Sequence, residues 1–431
     1  MLNVLTGPGH DGETSAFRLA RCNRTGHEDR LPVMTVFTRS LALGLVVLLT
    51  ACGAEPAREE PPAPLPVTQQ VASDMAAAVE AAGGFGLDLL TAPALASGPN
   101  LVLSPVSVST AVQMVGAGAK GDTAAQIRKV LRLPGDGPPV PPVAGHEDLK
   151  VSNTAWIQRG LGIKPGYRDV VRDRFGAATR DEDFVADPGG ARDRINRTVA
   201  DQTQGRIEDL FPEKSITGDT RLVLANALYL KVPWAREFPR DLTMDAPFTR
   251  ADGSAVTVPM MRTAPEIQLG YAEGPGYQAV TLPYRGGRLA FTVIVPAAID
   301  ALRGKGIAAL LGEIRPATVE LAMPRFTVRS ALDLTAPLKE AGMPTAFEPG
   351  ADFSGITDEA RLRIASVQHK TFVQVDEEGT EAAAATGVDA RAVSAELPRT
   401  VTADRPFLFV ITDTATGAPL FLGRIGDPAA G

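Results

Sequence analysis

Cysteine is almost missing from this chain: 431 residues contain two, Cys22 and Cys52. That excludes a disulfide-stapled scaffold and a cysteine-rich zinc module. Histidine is nearly as scarce, with His10, His27, His146 and His369 the full set. No HExxH, CxxC or GxSxG spacing occurs, so neither a zinc site nor a hydrolase nucleophile elbow is signalled. No apolar run is long enough to span a bilayer as a mature helix. A basic stripe is also missing, and a net charge of -7 argues against a nucleic-acid partner. Gly116-Ala-Gly-Ala-Lys-Gly121 has dinucleotide-fingerprint spacing. It follows a helical stretch rather than a strand, so its amides are not aimed at a phosphate. No cofactor and no metal are expected.

What remains is an ordinary globular composition, 44% hydrophobic and 22% charged, with length enough for a large core. The N-terminal part reads differently. Arg39, the apolar run Leu41 to Leu49 and then Leu49-Thr-Ala-Cys52 form a secretory signal. With cysteine at the cut it resembles a bacterial lipobox, in which that cysteine carries the lipid. Met34-Thr-Val-Phe-Thr-Arg-Ser40 is a normal start for such a signal. The expected division is therefore 1–33 a mis-assigned start or a non-structured leader, 34–51 signal peptide, 52–68 a Pro-rich tether and 69–431 the folded domain. The expected location is outside the cytoplasmic membrane and lipid-anchored through Cys52: cell surface, periplasm or extracellular space. Glu55-Pro and Arg58-Glu-Glu-Pro-Pro-Ala-Pro-Leu-Pro66 build no core and suit a semi-extended spacer.

Along the domain, helical pattern runs from Gln69 to Leu90. Asn100-Leu-Val-Leu-Ser-Pro-Val-Ser107 is a strand stopping at a helix, with Ser104 as cap and Pro105 in the first turn. That helix runs to about Val115, and the next is expected from Thr123 with Gln126 in a capping box. Leu149–Ile157 reads as a strand, Tyr167–Phe175 and Asp193–Thr203 as helices. Arg221 to Lys231 is apolar on both faces, as a buried central strand is. Tyr277–Pro283 and Arg288–Pro296 form a hairpin around Gly286-Gly287. Thr318–Arg329 is a strand, Ala331–Ala341 a helix, and Leu362–Asp376 a strand-like run. Arg405–Ile411 and Ala418–Ile425 pair across Thr416-Gly417.

One stretch organises the rest. Gln374-Val-Asp-Glu-Glu-Gly379 ends a strand at a residue free to turn, and Thr380 to Thr386 follows with four consecutive alanines. As a strand it would put Thr380, Ala382, Ala384 and Thr386 on one small, uncharged face. Glu381, the one charge between Thr380 and Thr386, would fall on the other face beside Ala383. Such a segment can be a loop and later a buried strand.

Glu377-Glu-Gly-Thr-Glu-Ala-Ala-Ala-Ala-Thr386 resembles the hinge of the reactive-centre loop of inhibitory serpins. So do Asn100, Ser104, Pro105 and Ser107 at the strand-helix corner, Thr203-Gln-Gly-Arg-Ile207, the Trp234/Phe238 spacing, Met323-Pro-Arg-Phe326 and Ala351-Asp-Phe-Ser-Gly-Ile-Thr357. Leu230 and Val232 depart from the family's more usual Phe and Gly, and Arg325 stands where Lys is common. The resemblance covers residues 70 to 428. It implies an α+β serpin fold: a single domain with three β-sheets, a helix cluster and an exposed reactive-centre loop. It implies a monomeric suicide substrate of a serine protease, with cysteine proteases as a second target class, and not an enzyme.

The resemblance also assigns residues. Glu377, Gly379, Thr380, Glu381, Ala382, Ala383 and Ala384 match the hinge. Trp234, Arg325 and Glu377 match the breach, where the loop first enters the central sheet. Ser104, Ser107, Asn226 and His369 match the shutter, where that sheet must part. The family distance from Glu377 puts the reactive bond at Val393-Ser394, with Ala392 or Ala395 as alternatives. Valine before the cut suits elastase-like or subtilisin-like proteases, while Arg391 and Arg399 leave a trypsin-like target open. Leu133 to Pro142 leaves no room for the helix that binds glycosaminoglycan activators in some members, and it has no basic cluster. A non-inhibitory serpin acting as a surface binding protein is the other reading; the small hinge face argues against it. A lipoprotein hydrolase is a third, and it lacks a nucleophile motif.

Overall fold

Nine consecutive buried residues, Leu222 to Leu230, run through the middle of the molecule and set its plan. The computed structural model describes residues 69–133, 149–380 and 397–430. They fall in one compact unit, Leu65–Gly431. The expected lipidation site Cys52 lies outside the described residues, and so do Glu381, Ala382, Ala383, Ala384, Val393 and Ser394 of the expected exposed loop.

In chain order the first elements are α1 (Gln69–Leu90), β1 (Asn100–Leu103), α2 (Pro105–Gly116), α3 (Gly121–Val130) and β2 (Leu149–Gln158). Next come α4 (Pro165–Phe175), β3 (Ala178–Glu182), α5 (Pro188–Gln202), β4 (Leu222–Leu230) and β5 (Val232–Pro233). β6 (Met244–Thr249), β7 (Ala255–Arg262), β8 (Gln268–Gly274), β9 (Tyr277–Pro283) and β10 (Leu289–Val295) follow. Short helices α6 (Ile299–Lys305) and α7 (Ile307–Gly312) precede β11 (Arg315–Pro324), β12 (Phe326–Asp333) and α8 (Thr335–Glu340). The chain closes with β13 (Val367–Val375), β14 (Gly379–Thr380), β15 (Arg399–Thr402), β16 (Phe407–Asp413) and β17 (Pro419–Ile425).

A seven-stranded sheet runs β3-β2-β4-β13-β14-β5, with β12 pairing β13. Both neighbours of β4 explain its unbroken burial: β2 is antiparallel on one side and β13 parallel on the other. A ten-stranded ladder forms the rest. It divides at β11, whose first half pairs β8 and whose end pairs β7 and β15. The three expected sheets are thus two hydrogen-bonded networks, the second bent at a shared strand. No described helix is long and apolar enough to cross a membrane.

Ser104 caps α2 as its sequence demands: its side chain accepts from the Ser107 N–H at 3.3 Å, and Pro105 opens the helix. Elsewhere the structure corrects the reading. α3 begins at Gly121 without a side-chain cap, and the Gln126 amide is occupied by Thr345 at 2.8 and 3.1 Å. α5 starts at Pro188 rather than Asp193, because Asp187 caps the Gly190 N–H at 2.9 Å. The Thr318–Arg329 run breaks in two at Arg325, whose N–H is drawn to the Pro259 carbonyl. Ala331 stays in the β12 ladder opposite Lys370, so α8 shrinks to Thr335–Glu340. β13 begins at Val367, not Leu362; Leu362 and Ile364 are core residues, and the Ile364 N–H goes to Ala346. Strands β6 to β8 were not foreseen, because their burial alternates irregularly and polar residues interrupt it.

Candidate functional site

The seam between β4 and β13 is closed only part of the way up. Parallel pairing runs from Val367 opposite Leu224 to Phe372 opposite Tyr229. Above that the strands part, and β14 fills the gap: Thr380 pairs with Val375 on one side and Val232 on the other, and Gly379 faces Pro233. Asp376 makes the reversal. Its carboxylate accepts the Glu378 and Gly379 N–H groups at 3.0 and 3.2 Å, and its own N–H reaches the Gly379 carbonyl. Gly379 is required by close approach: a Cβ there would sit 2.4 Å from the Val232 carbonyl oxygen and 2.5 Å from the Pro233 Cα.

Thr380 is completely buried and its hydroxyl lies 2.6 Å from that of Tyr284. Tyr284, also fully buried, stacks on Trp234 with centroids 4.6 Å apart and planes 6° apart. Burial pushes the Tyr284 phenol well above its ordinary range, so it stays a neutral hydrogen-bonding group. Trp234 holds the turn by donating its indole N–H to the Asp376 carbonyl and its backbone N–H to Glu378, both at 2.9 Å. Phe238 meets Trp234 edge-on at 6.2 Å and donates its N–H to the Glu377 carbonyl.

Glu377 is 2% exposed. Its carboxylate accepts from Arg325 at 2.5 Å and from the Thr243 hydroxyl at 2.8 Å. Burial pushes its pKa up, but the hydrogen bonds to its carboxylate together with the Arg325 charge outweigh it and hold the carboxyl below the ordinary range. Arg325 is 45% exposed, so the pair contributes about 1 kcal/mol. Arg240 pairs with Glu378 just outside. Of the three residues expected at the breach, Arg325 and Glu377 therefore pair, and Trp234 binds the carbonyls on either side of Glu377. Tyr284 and Thr243 belong to the same cluster and were missed; both lie far along the chain from the hinge, and no spacing links them to it.

Lower in the seam, His369 of β13 and Asn226 of β4 are register partners. The His369 Nε2 accepts the Ser104 N–H at 3.0 Å, which places the ring proton on Nδ1, 3.0 Å from the Asn226 Oδ1. The Asn226 amide donates to the Ser107 hydroxyl and to the Asn153 Oδ1. His369 is 1% exposed, and burial pushes its pKa down to about 3. All four expected shutter residues thus form one buried network, with Ser104 acting through its backbone as well as its cap. Asn153 was missed, being one polar residue in an ordinary strand pattern. Thr371 adds a bond to the Val102 carbonyl at 2.9 Å.

The arrangement is a parted seam with a latch at the top and a polar cross-link in the middle. It pairs no nucleophile with a base. Among the described residues no cluster of three His, Cys, Asp or Glu stands ready for a metal.

A family model described as Serpin (serine protease inhibitor) matches residues 80–428. An uncharacterized serpin-like protein of Thermococcus kodakarensis is 34% identical over 374 residues, 82% of this chain and 86% of its own length. The leukocyte elastase inhibitor of Bos taurus is 32% identical over 352 residues, 76% of this chain and 93% of its own. Among solved structures, Serpin48 of the insect Tenebrio molitor superposes with a TM-score of 0.69 at 27% identity, covering 84% of this chain and 98% of its own.

Proposed function

The chain belongs to the serpin family, and from that premise we propose that it is a suicide-substrate inhibitor of serine proteases. The family consists mostly of protease inhibitors rather than catalysts. One observation carries the reading: Gly379-Thr380 already lies between β13 and β5 at the open end of the seam. A strand is therefore begun where the rest of a cleaved loop has to follow. The protease attacks the loop and forms an acyl-enzyme. Cleavage releases the hinge, and the chain beyond Thr380 feeds down between β13 and β4. Each backbone hydrogen bond gained nets roughly 0.5–1.5 kcal/mol, on the order of 10 kcal/mol over such a strand. That drags the attached protease away from its deacylation geometry. Thr380, Ala382 and Ala384 oppose the movement least, because each is small and uncharged.

The reactive bond is Val393-Ser394 in this reading, and the relative named for leukocyte elastase supports an elastase-like target. The test mixes the purified protein with pancreatic elastase, followed by a denaturing gel and mass spectrometry. The expected result is a covalent complex surviving SDS and a released peptide beginning at Ser394. Clean cleavage with no complex, and no rise in the melting temperature of the cleaved product, would replace this reading with a non-inhibitory serpin.

The inhibitor acts as a monomer held outside the cytoplasmic membrane by a lipid on Cys52. The support is the apolar run ending in Leu49-Thr-Ala-Cys and the Pro-rich spacer after it. Cys52→Ser is expected to move the protein from the membrane pellet to the soluble fraction; an unchanged pellet share would dismiss the anchor.

A further inference from the structure

Tyr229 and Phe372 are the last paired residues before the seam opens, and a third side chain lies across both. The Arg206 guanidinium carbon is 6.0 Å from the Tyr229 ring centroid and 5.6 Å from that of Phe372. The two rings are themselves 6.2 Å apart, both nearly buried. Burial raises the pKa of the Tyr229 phenol, and Arg206 beside it works in the opposite direction. One cation therefore grips β4 through Tyr229 and β13 through Phe372.

The chain after α5 is built to hold it there. Thr203 is fully buried and its hydroxyl turns back to the Val199 carbonyl while accepting the Ile207 N–H. Gln204 and Gly205 turn the backbone sharply with φ of +54° and +74°. Ile207 and Leu210 anchor the far side in the core beneath α5. A second tie, Lys370 to the Asp209 carbonyl, binds this loop to β13 alone. Arg206 is the side chain of the loop placed over both edges.

We propose that Arg206 bolts the seam shut and that its release sets how fast a new strand enters. The geometry of insertion gives the reason. Neighbouring strands lie about 4.8 Å apart, so a strand between β4 and β13 moves them to about twice that spacing. One guanidinium cannot then cover both rings. The contacts it makes exist only in the closed sheet and must be lost before the strand can pass. Arginine suits this role because its flat face stacks on rings while its edge donates hydrogen bonds, which an ammonium cannot do. The proposal rests on the loop-insertion reading above.

The experiment uses the full-length protein and a synthetic peptide of residues 380–389, Thr-Glu-Ala-Ala-Ala-Ala-Thr-Gly-Val-Asp. Uptake is followed on native gels and by the rise in melting temperature of the filled form. Arg206→Ala is expected to take up peptide about tenfold faster than the parent, the equivalent of about 1.4 kcal/mol. Arg206→Lys should fall between them. Tyr229→Phe, which keeps the ring and loses the hydroxyl, should speed uptake by a smaller factor and add nothing once Arg206 is gone. Arg194→Ala is the control: it breaks the pair between Arg194 of α5 and Glu182 at the end of β3, away from the seam, and should leave the rate unchanged. Equal rates in the parent and both Arg206 variants, or equal acceleration by Arg194→Ala, would overturn the bolt. A parent that takes up no peptide and gains no thermal stability would overturn insertion itself, and the bolt with it.

Discussion

Replacing Thr380 with arginine is expected to leave a protein that proteases cut but that no longer holds them. The side chain at 380 is completely buried, between Val375 and Val232, with its hydroxyl against that of Tyr284. Arginine there must bury its charge without a partner or stay out of the sheet. An unpaired buried charge costs several kcal/mol at least, so the hinge stays out. The first rung of the new strand is then missing, and the rungs below it form too slowly to overtake deacylation. The measurement is the number of inhibitor molecules consumed per protease inactivated, read with the gel. The parent should give a complex near equal ratio, and the variant cleaved inhibitor with active protease. Continued trapping by the variant would end the proposal. Gly379→Ala reaches the same place from the backbone. Its Cβ would collide with Val232 and Pro233 backbone atoms that cannot swing aside. Strain of about 1–3 kcal/mol is expected to unseat Gly379-Thr380, so partial loss of trapping should accompany an intact fold.

Which parts of this were legible in the sequence follows from how each part is specified. β4 announces itself, because a strand flanked by two others can carry nothing polar except where a partner waits, and Asn226 is that exception. The C-terminal hairpin is equally plain in its two apolar runs around Thr416-Gly417. Ser104 could be read as a cap because capping is local. Local rules fail where tertiary pairing overrides them. Ala331-Leu-Asp333 looks helical but is held by its register with Lys370, His369 and Gln368. Gln126 fits a capping box yet finds a better partner in Thr345. The site shows the same division. Trp234, Arg325, Glu377 and the shutter residues came from the family resemblance, which carries long-range information that spacing lacks. Tyr284, Thr243 and Asn153 became visible only when the fold brought them together, and Arg206, present in the family-like turn, gained its place over the seam only there.

Acid should lower the stability of the folded chain from about pH 6.5 downward, and His369 is the reason. Its ring is neutral in the folded chain, with a pKa pushed down to about 3 by burial. In the unfolded chain it titrates near its ordinary value of about 6.5. Above that pH both states are neutral and the residue contributes no pH dependence. Below it the unfolded chain binds a proton that the folded chain refuses. Stability then falls with decreasing pH, by about 1.4 kcal/mol per unit, until the folded ring itself protonates near pH 3. Glu377 acts in a lower window: its depressed carboxyl contributes stability above its ordinary pKa, lost as pH drops through the folded value. The two are separated by comparing the parent with His369→Gln in denaturant titrations at pH 8, 6.5, 5.5 and 4.5. The variant is expected to be less stable at pH 8, because the bonds to Ser104 and Asn226 are disturbed, and flatter between pH 6.5 and 4.5. Parallel curves would show that His369 does not set the slope. Protonation at Nε2 would also turn that atom from acceptor to donor, facing the Ser104 N–H 3.0 Å away. Two donors then oppose each other at the point where β4 and β13 must separate, so the uptake of a strand should speed only as the pH approaches about 3, below the range in which stability has already fallen.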